Sequence, residues 1–259
     1  MMTIREYKRV ESLEEAWELN QKKANRVIGG MIWLKMSRGN VGTAIDISGL
    51  GLDQIEETED AFEIGAMVTL RQLEEHSGLA AYTDGAMRES VRHIVGVQLR
   101  NLATVGGSIY GRFGFSDVLT MFLAMDTEVE LYKAGRMPLV EFAKQIGGRD
   151  KLMVHKDKAV YHYQSVRNTQ TDFPVLTCAA AKRADGAYRF SIGARPGRAV
   201  LFEASAETIQ ALIEEKQKAE TKADADADTR ESQDKTQTGK KAACLAKWIP
   251  DQVQASSNM

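Results

Sequence analysis

Asn101-Leu-Ala-Thr-Val-Gly-Gly-Ser-Ile-Tyr-Gly-Arg-Phe-Gly-Phe-Ser-Asp117 is the stretch on which the fold turns. A mostly apolar run ends in Gly106-Gly107, a glycine-punctuated loop follows, and Ser116-Asp117 stands at the head of a strongly apolar helix. Four glycines within nine residues permit close backbone approach and left-handed backbone conformations. Thr104 and Ser108 bracket the pair with hydroxyls that can donate to phosphate oxygens, and Asp117 can accept from sugar hydroxyls. The chemistry suits a nucleotide-like ligand laid across a loop. A plainer alternative is a tight turn before an ordinary helix start, since Ser-Asp ahead of an apolar run is standard N-cap grammar. The stretch has neither the strand-GxGxxG-helix order of a dinucleotide fold nor the GKS or GKT of a P-loop.

A second glycine pair changes the balance. Arg26-Val27-Ile28-Gly29-Gly30-Met31-Ile32-Trp33 repeats the device, an apolar strand running into Gly-Gly. Two such turns, about eighty residues apart and each predicted to end a strand, can converge on one pyrophosphate. With both in view, the chain resembles the FAD-binding subunits or domains of molybdenum hydroxylases, of the xanthine dehydrogenase and carbon monoxide dehydrogenase type. The family's first signature, A-G-G-T/Q-D/S-L, reads Ile28-Gly29-Gly30-Met31-Ile32-Trp33 here. Its second, R-N-x-A-T-x-G-G-N followed by S-D and an apolar helix, reads Arg100-Asn101-Leu102-Ala103-Thr104-Val105-Gly106-Gly107-Ser108 with Ser116-Asp117. The likeness continues through Leu123–Leu131, Asp172–Ala181 and Ile192–Ala199, covering about residues 1–205.

The resemblance implies an α+β chain: the two-subdomain FAD-binding fold of the vanillyl-alcohol oxidase and para-cresol methylhydroxylase families, then a small antiparallel C-terminal α+β domain. It implies FAD as a non-covalent cofactor contacted by Val27, Ile28, Gly29, Gly30, Met31, Ile32, Trp33, Ile94, Thr104, Val105, Gly106, Gly107, Ser108, Asp117 and Tyr163. The pyrophosphate would be held by backbone N–H groups at the two glycine pairs, assisted by Thr104 and Ser108. Asp117 would accept from ribose or adenine, and Ile94 would pack on an apolar cofactor surface. Met31 and Ile32 depart from the family's polar residues, and Ser108 replaces a usual Asn. Arg112 is either a cation beside the flavin or a solvated surface residue, and Phe113 and Phe115 either pack on the flavin, fill a subunit interface or belong to the core. The same resemblance implies an FAD-dependent oxidoreductase subunit that passes electrons from a [2Fe–2S] subunit and a molybdopterin subunit to an acceptor such as NAD. A non-catalytic scaffold that kept the fold and lost the flavin, and a stand-alone flavin reductase, are the alternatives.

Composition narrows the classes. The net charge is −2, with 34 basic against 36 acidic residues, so no nucleic-acid face is expected. No run reaches the roughly 18 apolar residues of a membrane span, and the N-terminal stretch has no apolar signal core, which makes the cytosol the expected compartment. Cys178 and Cys244 stand alone, which argues against a disulfide framework, a structural zinc or a cluster bound by this chain. His76, His93, His155 and His162 lack metal-ligand spacing, Ser116 has no GxSxG context, and no acid/base dyad is found.

Hydrophobic periodicity predicts helices at Leu13–Ala24 (a Ser12/Glu15 capping box), from Thr69 to His76, near Gly85–Ile94, at Ser116–Met125 and from Pro138 onward. Strands are predicted at Val27-Ile28, Thr43–Ile47, Phe62–Ala66 and Glu128–Tyr132. After a Gly/Lys-rich connector at 147–158, period-two strands follow at Tyr161–Val166, Val175–Lys182 and Tyr188–Ile192, the last two joined by Asp185-Gly186, a strong hairpin signal. The resulting division is residues 1–158 as FAD-binding domain (subdomains about 1–60 and 61–158), 159–218 as a small C-terminal domain, and 219–259 as a tail. Ala206–Glu220 is an amphipathic helix. Ala219–Gly239 is predicted flexible, having almost no large apolar residue to offset ordering entropy, and Lys240–Ile249 is either a docking helix or a remnant without a role.

Overall fold

The computed structural model describes residues 2–144, 150–194 and 198–227. In chain order its elements are β1 (Met2–Arg9), α1 (Leu13–Asn20), β2 (Arg26–Ile28), a single 3-10 turn (Leu34–Met36), β3 (Gly39–Asp46), β4 (Ile55–Glu57), β5 (Ala61–Ile64), α2 (Leu70–Glu75), α3 (Ser77–Tyr82), α4 (Ala86–Val91), α5 (Val97–Arg100), α6 (Val105–Gly111) and α7 (Asp117–Ala124). They continue with β6 (Thr127–Leu131), β7 (Gly135–Pro138), α8 (Leu139–Lys144), β8 (Asp150–His155), β9 (Val160–Arg167), β10 (Pro174–Lys182), β11 (Tyr188–Gly193), β12 (Val200–Ala204) and α9 (Ala206–Ala227).

Three sheets organise them. The first, ordered β1-β3-β2, is parallel throughout; α1 carries the chain from β1 across to β2 on the far edge, and the segment with the 3-10 turn returns it to β3 in the middle. Ala16 of α1 packs with Val10 and Ile45, so the helix covers the sheet's apolar face. The second, ordered β4-β5-β8-β6-β7, is antiparallel. The third, β12-β11-β10-β9, is an antiparallel meander. Between the second and third sheets runs α7, buried at all eight of its residues. It belongs to one large apolar cluster with Phe62, Leu70, Met87, Val91, Phe142 and Tyr163. Its Thr120 hydroxyl meets that of Thr177 on β10 at 2.9 Å, satisfying two buried polar groups at once. On the far face of the third sheet Ile209 of α9 packs on Ala180, Tyr188 and Phe190.

Local chemistry accounts for most element starts. Thr69 and Gln72 form a complete capping box, but the helix they open stops at Glu75, and His76 caps the next one through its ring nitrogen at 3.1 Å from the Leu79 N–H. Ser12 caps α1, yet the Glu15 carboxylate reaches the Glu11 N–H rather than that of Ser12, so the expected reciprocal box is half formed and the helix ends at Asn20. Ser116 caps α7, accepting from Leu119 at 3.1 Å, and Asp117 sits in its first turn, where a carboxylate is favoured. Gly186 takes φ 82 in the β10–β11 hairpin, which glycine adopts without penalty.

Three expectations are corrected. Residues 150–155 of the supposed connector form β8, hydrogen-bonded between β5 and β6. Gly106-Gly107 does not end a strand but lies in the first turn of α6, where Thr104 is the N-cap. The last helix runs on to Ala227, through the first part of the stretch predicted flexible, because its Ala, Lys and Glu residues are strong helix formers. The remainder of that stretch and the predicted Lys240–Ile249 helix lie outside the described residues. Among the described residues no helix is long and apolar enough to cross a membrane.

Candidate binding site

The two glycine pairs meet. A Cβ placed on Gly30 would fall 1.6 Å from the Leu102 carbonyl oxygen, and one on Gly106 would fall 2.7 Å from that of Ala66. These two glycines let main chain pack on main chain. A Cβ on Gly29 and one on Gly107 would each lie 3.1 Å from Thr104 Oγ1, so the pairs converge on that hydroxyl. Neither pair has positive φ; the left-handed residue is Met31, at φ 58. Close approach, rather than conformational freedom, is what the glycines supply.

Beside this junction opens a cleft of about 910 Å³, at the upper end of the range for small-molecule sites. Every expected contact residue lines it except Val105 and Tyr163. Val105 is directed into the core. Tyr163 lies on β9, is itself buried, and donates its hydroxyl proton to Asp117 Oδ1. Its acidity is pushed far down by burial and by the Asp117 carboxylate.

The donors divide unevenly. The N–H groups of Val105, Gly106 and Ser108 bond the carbonyls of Val68, Ala66 and Thr104, and the Gly107 N–H bonds Thr104 Oγ1 at 3.2 Å. Ser108 Oγ donates to the Thr104 carbonyl at 2.9 Å. The second glycine pair therefore has its main-chain donors committed within the fold, contrary to the expectation that it shares the phosphate. At the first pair the position is reversed. Among the described residues no acceptor meets the N–H groups of Gly29, Gly30, Met31, Ile32, Trp33 or Leu34, all of which line the cleft. Successive free N–H groups around a left-handed residue form a concave anion cradle, and exposed Lys35 on the same wall adds a cation.

Asp117, 4% exposed, is engaged within the protein rather than held open. Arg167 Nη2 reaches its Oδ1 at 2.5 Å, on the same oxygen as Tyr163. Burial raises the Asp117 carboxyl pKa, outweighing the pull of Arg167 and Tyr163 in the other direction. Arg167 in turn donates to the Asp172 carbonyl, so the pair ties the head of α7 to the end of β9 and to the loop before β10. Four aromatic rings gather in the same cleft. Trp33 lies 4.9 Å from Phe113, 6.0 Å from Phe115 and 6.1 Å from Phe173, and Phe115 lies 4.5 Å from Phe173. Trp33 is 43% and Phe173 52% exposed, so Trp33 is a cleft residue rather than a core one. Arg112 is not in the lining; its guanidinium lies 4.2 Å from the Phe142 ring centre and donates to the Phe142 and Tyr110 carbonyls.

Sequence reasoning missed Arg167, Phe173 and the wall residues Val95 and Leu102. Arg167 ends a strand of alternating pattern and Phe173 precedes a proline, but neither signal states that its side chain returns to the glycine pairs.

An arrangement of free main-chain donors, a cation and stacked aromatic rings suits a phosphate-bearing ligand with a planar ring system. Residues 2–159 match the family described as FAD binding domain in molybdopterin dehydrogenase. The uncharacterized protein YgfM of Escherichia coli (strain K12) is 29% identical over 130 residues, 49% of each chain; the chain thus matches about half the length of this curated relative. The structure of quinoline 2-oxidoreductase from Pseudomonas putida 86 superposes with a TM-score of 0.67 at 19% identity over 76% of each chain. That of a carbon monoxide dehydrogenase from Hydrogenophaga pseudoflava gives 0.65 at 21% over 76% of each. At such identities the likeness establishes the fold.

Proposed function

Since the chain belongs to the family of FAD-binding domains in molybdopterin dehydrogenases, and its cofactor is therefore FAD, we propose that it serves as the flavin-bearing electron-transfer subunit of a multi-subunit molybdenum hydroxylase. The observation that carries this reading is the run of unpartnered N–H groups at Gly29–Leu34 beside the junction of the two glycine pairs. These groups would hold the pyrophosphate, with Lys35 nearby, while Trp33, Phe113, Phe115 and Phe173 offer apolar faces to ring systems. Bound FAD supplies the capacity to take up and release electrons singly or in pairs. The protein's share is to bind the group, orient it and exclude water.

The same reading assigns residues 1–158 to the FAD-binding domain, 159–218 to a small C-terminal domain and 219–259 to a tail. It gives the chain a [2Fe–2S] subunit and a molybdopterin subunit as partners and leaves an acceptor such as NAD downstream. The family's tie to molybdopterin enzymes supports those partners, and the aromatic group at the cleft supports an electron exit there. Titration of the flavin-free protein with FAD tests the assignment. Binding should quench tryptophan fluorescence, and Trp33→Phe should remove most of the quench. A wild-type chain that takes up no flavin would leave the scaffold reading in its place.

A further inference from the structure

Ile94-Val95-Gly96, between α4 and α5, carries an uncomfortable backbone. Val95 sits at φ 50 and lines the cleft half exposed. A β-branched residue is a true outlier in the left-handed region, and such strain persists only where the surroundings over-determine it. The restraint is visible. Arg100, the last residue of α5, is 5% exposed. Its Nη1 donates to the Ile94 carbonyl at 3.2 Å, the group immediately before Val95. Its Nε and Nη2 meet the two carboxylate oxygens of Glu74 at 2.9 and 3.3 Å. Glu74 is fixed on α2, receives Arg71 at 2.9 Å, and offers its main-chain carbonyl to Arg88 of α4 at 3.1 Å. On the other side the Arg100 N–H closes on the Gly96 carbonyl at 3.0 Å. The buried guanidinium thus joins α2 to the carbonyl before the strained residue, while the main-chain N–H of the same Arg100 holds the Gly96 carbonyl after it. A buried charge is costly, and an apolar residue could fill the space; a carbonyl to be held is what an apolar residue cannot serve.

We propose that Arg100, backed by Glu74, is a positioning residue that holds Ile94–Gly96 in its left-handed turn and so presents Ile94 and Val95 to the cofactor. This rests on the FAD reading of the cleft. The claim is tested in the full chain with Arg100→Met, Arg100→Lys and Arg100→Met/Val95→Gly. Three quantities are measured: FAD affinity, thermal midpoint, and amide exchange over residues 94–97 in flavin-free protein. Arg100→Met should weaken FAD roughly ten- to hundredfold, the range for a lost charge-assisted hydrogen bond, and should speed exchange at Val95–Val97. Arg100→Lys, which can serve Glu74 or the carbonyl but not both, should fall between. Glycine adopts the turn without restraint, so the double variant should recover most of the lost affinity. Three results would overturn the proposal: a lowered midpoint with unchanged affinity in the folded fraction, unaltered exchange, or a double variant no better than Arg100→Met. If Arg100→Met does not fold, Arg100→Lys decides, and unchanged exchange at Val95–Val97 with unchanged FAD affinity in that variant overturns the proposal. If wild type binds no FAD, the cofactor reading fails, while exchange and melting still report whether Arg100 holds the turn.

Discussion

Gly30→Ala is the sharpest perturbation of the junction. The added methyl would lie 1.6 Å from the Leu102 carbonyl oxygen and 2.4 Å from its carbon, both main-chain atoms. Real Cβ atoms essentially never approach closer than 3.0 Å, so the two segments must part by about 1.4 Å, the gap between those two distances. No side chain can rotate away to absorb this. Overpacking costs typically 1–3 kcal/mol, and a clash with main chain belongs at the top of that range, about 3 kcal/mol. For a chain of this size that corresponds to a fall of roughly 6–12 °C in Tm. The parting also separates the cradle at Gly29–Leu34 from Thr104, so FAD affinity should drop in whatever remains folded. Circular-dichroism melts and fluorescence titration measure the two effects. A variant that melts with wild type and binds FAD equally well would refute the observed contact and the convergence argued from it.

Gly107→Ala should behave oppositely: its Cβ meets only Thr104 Oγ1, at 3.1 Å, and in a helix alanine gains about 0.5–1 kcal/mol over glycine. Its melting point should hold or rise and its FAD affinity should stay within a few-fold, since the α6 donors are already committed; a Tm loss comparable to that of Gly30→Ala would contradict this. Asp117→Ala strands the buried Arg167 and should cost about 3–5 kcal/mol, read from urea unfolding at neutral pH. The acidity of Asp117 predicts a pH effect as well. Its folded pKa is raised above 3.8 by burial, so its contribution to stability is full below 3.8 and is lost as pH rises through the folded value. The stability difference between wild type and Asp117→Asn should therefore shrink with rising pH; growth instead would mean that the Arg167 pair dominates.

Much of the frame was legible because local chemistry and tertiary structure agree. The Thr69 and Ser116 caps, the strongly apolar α7, the Asp185-Gly186 hairpin and the meeting of two glycine pairs all follow from residue types and spacing. The misreadings arise where distant partners decide. Val-Gly-Gly-Ser-Ile-Tyr-Gly has poor helix propensity, yet Thr104 caps it and Val105 and Ile109 enter the core, so packing makes α6. Asp150–His155 shows little alternation and becomes a strand because β5 and β6 lie on either side. The aromatic group unites residues 33, 113, 115 and 173, contacts that no window of sequence contains. Arg112 turned away from the cleft because its own left-handed backbone, φ 45, ends α6 there.

The same distinction explains how a first loop with Met31 and Ile32 in place of polar residues can still present an anion site. Side-chain donors are lost by substitution; main-chain donors are not. What the substitutions change is the cost of shaping the cradle, since Met31 must hold a left-handed conformation at φ 58, worth of order 1–3 kcal/mol, and the water around it, since apolar side chains lower the local dielectric and strengthen each remaining bond to a charged group. Recognition then depends on backbone position rather than residue identity at 31 and 32. That position is fixed by the packing of Gly30 on Leu102 and by Thr104 between Gly29 and Gly107. On the proposed placement of the pyrophosphate, Gly30, whose lack of a side chain lets it pack on the Leu102 carbonyl, matters more than the side chains at 31 and 32.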